Sequence, residues 1–317
     1  MQTNNDFLKK RAKRKYINTP VLNALLTISS PLHKKYLTSV GCASALQVID
    51  GSIKSRYCKR LWCTICAPIK TAIRLNSYSS QLNIISDLQF TTLTIPNVPG
   101  HQLKTTIDHF RKVLRQFRNT YNKRSNAPFI GVYNFEVTLN IKVKNYHPHI
   151  HIIHSPLSGC PLELINYWLL KTPSARSIAQ DTRPCTDLIE GFKYANKSTF
   201  YTVVDGKRIY NVPATMLDIM YNQLASVRMF NSFGIDKLDD KAIDAEMDKL
   251  EAYKTDLLPG TYLWKLHDWF LTMSIDQEGE LHPAFYPNSN EIEFSLSNYI
   301  PHSKHKKIFN DLSQFYV

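Results

Sequence analysis

The chain predicts an α+β protein: an antiparallel central sheet with helices on one face, preceded by a cysteine-rich module and followed by a mostly helical tail. Three observations predict this. Two β-rich runs, Gly131 to Asn140 and His147 to His154, lie close enough in sequence to form a hairpin, because only antiparallel strands can be joined by a short connection. A third alternating run, Phe90 to Ile95, stops at Pro96, and proline cannot donate to a sheet ladder. Stretches with apolar residues at helical spacing separate and follow these runs. The resulting order of strand, helix, hairpin, helix suits a split βαβ arrangement.

The elements follow in order from the residues. Lys9, Lys10, Arg11, Lys13, Arg14 and Lys15 form a basic arm. Cys42, Cys58, Cys63 and Cys66 then cluster, with Cys63 and Cys66 in a C-x2-C knuckle; four thiolates close a tetrahedral structural zinc site. The long gap from Cys42 to Cys58 leaves room for a histidine or a distant residue as fourth ligand. Cys160 and Cys185 stand apart and read as ordinary buried thiols. Ile69 to Ile85 has helical apolar spacing. A second helix, His101 to Tyr121, carries the stripe Leu103, Ile107, Phe110, Leu114, Phe117 and Tyr121, which is core; Arg111, Lys112, Arg115 and Arg118 beside it read as a solvated face within reach of phosphate. A further helix covers Leu162 to Leu170. Asp236 to Asp256 is an acid-rich solvated helix, and the aromatic stretch at Tyr262, Trp264, Trp269 and Phe270 has no assignable role. The expected boundaries are 1–70 for the arm and cysteine module, 71–235 for the central domain and 236–317 for the tail.

Composition narrows the function. The 317 residues are 43% hydrophobic and 21% charged, as in a globular protein. Lys and Arg number 39 against 26 Asp and Glu, a surplus that points to a polyanionic partner. No secretory signal and no apolar stretch near the roughly 18 residues of a membrane span is present. A cytoplasmic location is expected, and there clustered cysteines favour metal over disulfides.

The chemistry concentrates in Tyr146-His147-Pro148-His149-Ile150-His151-Ile152-Ile153-His154. Histidines two apart on a strand point to one face. If Asn140 opposes His147 in the hairpin, Thr138 opposes His149 and Glu136 opposes His151. Two imidazoles and a carboxylate then make a cation site with open positions for substrate oxygens. His147 shares the parity but precedes Pro148 at the strand's start, so its role as a ligand stays open. His154 has the opposite parity and is expected to serve packing or DNA contact.

A second constellation runs from Asp187 to Lys197. On a helix, Glu190 and Tyr194 share a face while Lys193 and Lys197 flank the phenol. A tyrosine with pKa near 10 attacks poorly; neighbouring lysines favour its phenolate, and Glu190 is placed to activate a water later. Tyr201 is the rival nucleophile. Gly191 inside the helix costs about 1 kcal/mol relative to alanine.

The His149-Ile150-His151 core, the Glu136-Val137-Thr138 strand, the cysteine cluster and Glu190 to Tyr194 together resemble the HUH endonucleases, most closely the rolling-circle plasmid replication initiators with one catalytic tyrosine. Thr94-Ile95-Pro96-Asn97 looks like that family's first motif and Arg228 to Gly234 like its later Arg…Phe-Gly segment. The likeness spans roughly Cys42 to Gly234; Thr64 stands where relatives often have proline. It implies an HUH-like sheet and a Mg²⁺ or Mn²⁺ ion on His149 and His151 with Glu136. It further implies a covalent 5′-phosphotyrosine at Tyr194, release by Glu190-assisted hydrolysis, and a free 3′-hydroxyl that primes synthesis. Lys193, Lys197 and Arg228 would hold the backbone of single-stranded or hairpin-extruded origin DNA, and Tyr57, Trp62 or Phe192 are candidates to stack bases. A bacterial cytoplasmic setting with a host helicase and DNA polymerase as partners follows from the same likeness. The alternatives are a related transposase or relaxase and a non-enzymatic zinc-dependent DNA-binding regulator. The cysteine cluster disfavours the first, since such transposases are generally shorter and lack a knuckle. A His-x-His-x-Asp-His hydrolase fails because Ile152-Ile153 supplies no aspartate.

Overall fold

A computed structural model describes residues 11, 14–15, 18–49, 52–60, 62–193, 202–204, 207–209, 213–236, 240–250, 261–265, 268–271 and 282–283. Residues 18–26 are helical. There follow α1 (His33–Val40), β1 (Ala45–Ile49), β2 (Ser52–Ser55), α2 (Cys66–Leu82), β3 (Gln89–Thr94), α3 (Leu103–Arg124), β4 (Gly131–Asn140), β5 (Asn145–His154), α4 (Glu163–Lys171) and β6 (Asp181–Pro184). The remainder is α5 (Leu188–Lys193), β7 (Thr202–Val204), β8 (Lys207–Ile209), α6 (Ala214–Leu224), β9 (Phe230–Phe233), α7 (Asp240–Asp248), β10 (Thr261–Lys265), β11 (Asp268–Leu271) and β12 (His282–Pro283). Two compact units result, 1–69 with 200–218 and 244–317, and 70–199 with 219–243.

In the first unit the strands run in the order β12-β11-β10-β1-β2. Leu46 lies opposite Tyr262 on one side and Ser55 on the other. The expectation of a mostly helical tail is corrected here: beyond residue 236 the described residues hold one helix, α7, and three strands. Aromatic and β-branched residues favour strands, and Tyr262 and Trp264 belong to β10 while Trp269 and Phe270 belong to β11. The acid-rich stretch does supply the helix, from Asp240 to Asp248.

The second unit is built on an antiparallel sheet ordered β6-β3-β5-β4-β9. One face carries Leu93, Phe135 and Ile150, which are aligned across three strands. Onto it pack α3 and α4, with Phe110 against Phe135 at 6.4 Å and edge-on to Trp168 at 4.8 Å between ring centroids. The stripe of α3 is buried as its spacing requires, with Val113 added to it. The opposite face carries Phe90, Ile153 and Val132, again aligned, and clusters with Tyr78 and Leu82 of α2 and Phe192 of α5. Helices therefore cover both faces rather than the expected one. The physical reason is that β3, β4 and β5 have apolar residues at both parities near one end, and a face left open there would expose them.

Candidate active site and metal centre

The hairpin register differs from expectation by two residues. Glu136 lies opposite His149, Thr138 opposite His147 and Asn140 opposite Asn145. Ile141 to Lys144 alone make the turn, with Lys144 at φ 52°. A slip of two preserves every side chain's face, so Glu136, His147, His149 and His151 still share one surface. Glu136 reaches diagonally to His151, whose Nε2 lies 3.0 Å from its Oε2. Both groups are buried, at 8% and 5% exposure for His151 and Glu136, so the contact is made in a medium that strengthens it. The rings of His149 and His151 stack in parallel with centroids 6.1 Å apart, and His147 follows at 4.1 Å from His149.

Three threonines hold these rings, and sequence reasoning gave them no role in doing so. Thr92 Oγ1 lies 3.1 Å from His151 Nδ1, Thr94 Oγ1 2.9 Å from His147 Nε2 and Thr138 Oγ1 3.4 Å from His149 Nε2. Their signal was present, because Thr92 and Thr94 alternate on β3 as the histidines alternate on β5. Such partners fix an imidazole's orientation and choose its tautomer. The end of β3 is itself held: Gln180 accepts a hydrogen bond from the Thr94 amide at 2.8 Å and donates to its carbonyl at 3.2 Å. Phe90 stacks on His151 at 5.7 Å. Burial pulls the His147 pKa below its ordinary value.

The helix α5 approaches this same face. Its Phe192 is fully buried against Tyr78 and Phe230, and the Gly191 carbonyl accepts from Asn134 Nδ2 at 3.4 Å. Asp187 caps its start by accepting from the Ile189 amide at 2.8 Å. Gly191 has a packing reason, since a Cβ there would fall 2.7 Å from Ile153 Cγ1. Glu190 and Lys193 belong to this helix, but their side chains, together with Tyr194, Lys197 and Tyr201, lie outside the described residues.

The cysteines are brought together. Cys42, Cys58, Cys63 and Cys66 are all buried, and their sulfurs lie within 4.8 Å of one another, a geometry that could hold a metal ion such as zinc. Neighbouring sulfurs are 3.4 Å (Cys42 to Cys66), 3.6 Å (Cys63 to Cys42) and 3.7 Å (Cys58 to Cys66) apart. A disulfide would need about 2.05 Å, whereas sulfurs about 2.3 Å from a shared tetrahedral ion stand roughly 3.8 Å apart. Burial pushes the Cys63 thiol up, and hydrogen bonding with Cys42 and its neighbours holds Cys58 down. The Lys15 ammonium, pushed down to about 8 by burial and partly restored by the nearby sulfurs, donates to the Cys42 carbonyl at 2.7 Å. Among the described residues, this is the one group of three or more His, Cys, Asp or Glu donors drawn so close; Glu136, His149 and His151 are more loosely set.

His154 does face away: it is 1% exposed, bonded to Thr91 Oγ1 at 2.8 Å and tilted against Phe129 at 5.2 Å, and burial pulls its pKa down to about 4. Tyr57, Trp62 and Phe192 are buried, which removes them as base-stacking platforms. Cys160 is exposed and Cys185 half-buried, unlike the buried thiols expected. Arg228 turns inward, donating to the Phe230 carbonyl at 3.0 Å and standing 3.8 Å from Asp240. No helix among the described residues is long and apolar enough to cross a membrane.

Comparison with known proteins agrees with the motifs. Residues 52–155 match the family model described as "Replication protein", a span that contains Glu136, the histidines and three of the four cysteines but ends before Glu190. The chain is 33% identical to "Protein rep" of Streptococcus pneumoniae serotype 2 (strain D39 / NCTC 7466), over 35% of this chain and 38% of that protein. It thus spans less than half the length of the curated relative it matches. No solved structure matches the chain. The resemblance to replication initiators is carried by these two comparisons together with the motifs.

Proposed function

We propose that the chain is a plasmid replication initiator that nicks single-stranded origin DNA through Tyr194. The observation that carries this reading is the Glu136 and His151 contact at 3.0 Å, on the sheet face where α5 packs, inside the segment similar to replication proteins. The donor set, two imidazoles and a carboxylate, fits a divalent cation of the Mg²⁺ or Mn²⁺ class. Glu136, His149 and His151 would hold it, and when bound it supplies charge withdrawal from a phosphate oxygen. Thr92 keeps His151 turned toward Glu136. The phenolic oxygen of Tyr194 attacks the origin phosphorus in line, a bond forms from that oxygen to phosphorus, and the bond to the 3′ oxygen breaks. The 3′ oxygen takes up a proton and leaves as a hydroxyl, while the proton of the phenol passes to solvent. Lys193 and Lys197 favour the phenolate; Glu190 later takes a proton from the water that hydrolyses the phosphotyrosine. In the cysteine cluster, zinc is the ion that four thiolates favour in a structural site.

The test is incubation of the full chain with Mn²⁺ and a labelled single-stranded origin oligonucleotide, followed by denaturing electrophoresis. A denaturation-resistant adduct is expected for the parent and none for Tyr194→Phe, with DNA binding retained. An undiminished adduct in that variant would overturn the assignment of Tyr194.

A further inference from the structure

On the sheet face opposite the histidines, a cavity of about 250 Å³ opens between α3 and the edge formed by β4 and β9. It is lined by Arg111, Arg115 and Arg118 above and by Tyr133, Phe129 and Phe233 below. The arginines stand at i, i+4 and i+7, one face of a helix, and no carboxylate lines the cavity. Arg111 is anchored 3.4 Å from Asp108 and over the Phe135 ring at 5.4 Å. Arg115 and Arg118 make no hydrogen bond or ion pair with another described residue. The floor is aromatic: Phe129 and Phe233 stack at 4.5 Å, and Tyr133 leans on Phe233 at 6.0 Å. Burial raises the Tyr133 pKa, while Arg111, Arg118, Arg228 and Arg115 oppose that rise.

We infer that this cavity is a second nucleic-acid contact, seating one nucleotide of a single DNA strand with its phosphate on Arg115 and Arg118 and its apolar part over Tyr133. Phosphate suits guanidinium because the planar fork donates two parallel hydrogen bonds. The apolar floor suits a base or sugar, and aromatic contact tolerates any sequence. The volume, below the roughly 300–1,000 Å³ of pockets that enclose a whole ligand, suits part of a continuing strand better than a free nucleotide. The site lies away from the histidine face, and it stands whether or not Tyr194 cleaves DNA.

The experiment measures binding of a fluorescent oligothymidylate to the full chain without added divalent cation, over a range of salt concentrations. Each phosphate contact contributes roughly −0.7 to the slope of log affinity against log salt for a single strand. Arg115→Gln with Arg118→Gln is expected to weaken binding and make that slope shallower by about 1.4, with the melting temperature unchanged. The Arg115→Lys, Arg118→Lys variant should recover most of the slope, since the charge is kept. An unchanged affinity and slope in the Gln variant would overturn the inference. Thymidine monophosphate, added as competitor, should displace the oligonucleotide only weakly; equal affinity would assign the cavity to free nucleotides instead.

Discussion

The cysteines of one unit and the histidine face of the other arrange their donor atoms in opposite ways. Four buried sulfurs converge until each is within 4.8 Å of the rest, which leaves no coordination position for anything else. On β5 the imidazoles stand in file, 6.1 Å apart for His149 and His151, with the Glu136 carboxylate on one flank and the hydroxyls of Thr92 and Thr94 on the other. A closed set of soft donors is built for permanence, whereas a loose set of nitrogen and oxygen donors leaves room for substrate. Backbone origin explains the contrast. The cysteines come from loops and the first residue of α2, which can wrap a point; the histidines come from one strand, which can only form a row.

The comparison is broken most severely at Cys63. Cys63→Ser is expected to release the bound metal and cost several kcal/mol, because metal affinity in such modules is folding free energy. Metal content and thermal unfolding check it, and a variant that keeps both would show that the cluster is not a metal site.

The same strand supplies a sharper contrast, because its last histidine lies on the other face. His154 has its pKa pulled down to about 4 by burial, from an ordinary 6.5. The unfolded chain therefore takes up a proton first as pH falls. Its contribution is intact above about pH 6.5 and is lost progressively toward pH 4, about 2 kcal/mol of it between pH 7 and pH 5. Urea unfolding at both pH values should show this loss in the parent and a smaller one in His154→Gln. Equal losses would remove the buried neutral histidine from the account.

A smaller effect tests how closely the open site depends on α5. Gly191→Ala places a methyl against Ile153 and should cost about 1–3 kcal/mol, with a slower rate of adduct formation. Ile153→Val in the same chain should recover part of both. Unaltered stability and rate would mean that the helix does not need its close approach.

Much of this was legible in sequence. The strands from Phe90, Gly131 and His147, the stripe of α3 and the shared parity of Glu136, His149 and His151 follow from local periodicity. The register did not follow, because it depends on whether the turn takes six residues or four, and Lys144 at φ 52° is a conformation that lysine does not announce. Nor did the partnership of Leu46 with Tyr262, which joins segments more than two hundred residues apart. Gly191 read as a cost because its benefit, the approach to Ile153, exists only in three dimensions. The pairing of Thr92 and Thr94 with the histidines was half visible, as matching alternation on two strands whose alignment the sequence does not reveal.

The central claim is that the histidine face holds an exchangeable cation distinct from the ion of the cysteine cluster. Manganese binding followed by electron paramagnetic resonance, alongside zinc content, tests it directly in the parent and in the His149→Ala, His151→Ala variant. The account predicts one exchangeable manganese site in the parent, its loss in the variant, and the same zinc content in both. Manganese binding that survives the double substitution, or zinc that disappears with it, would contradict the account.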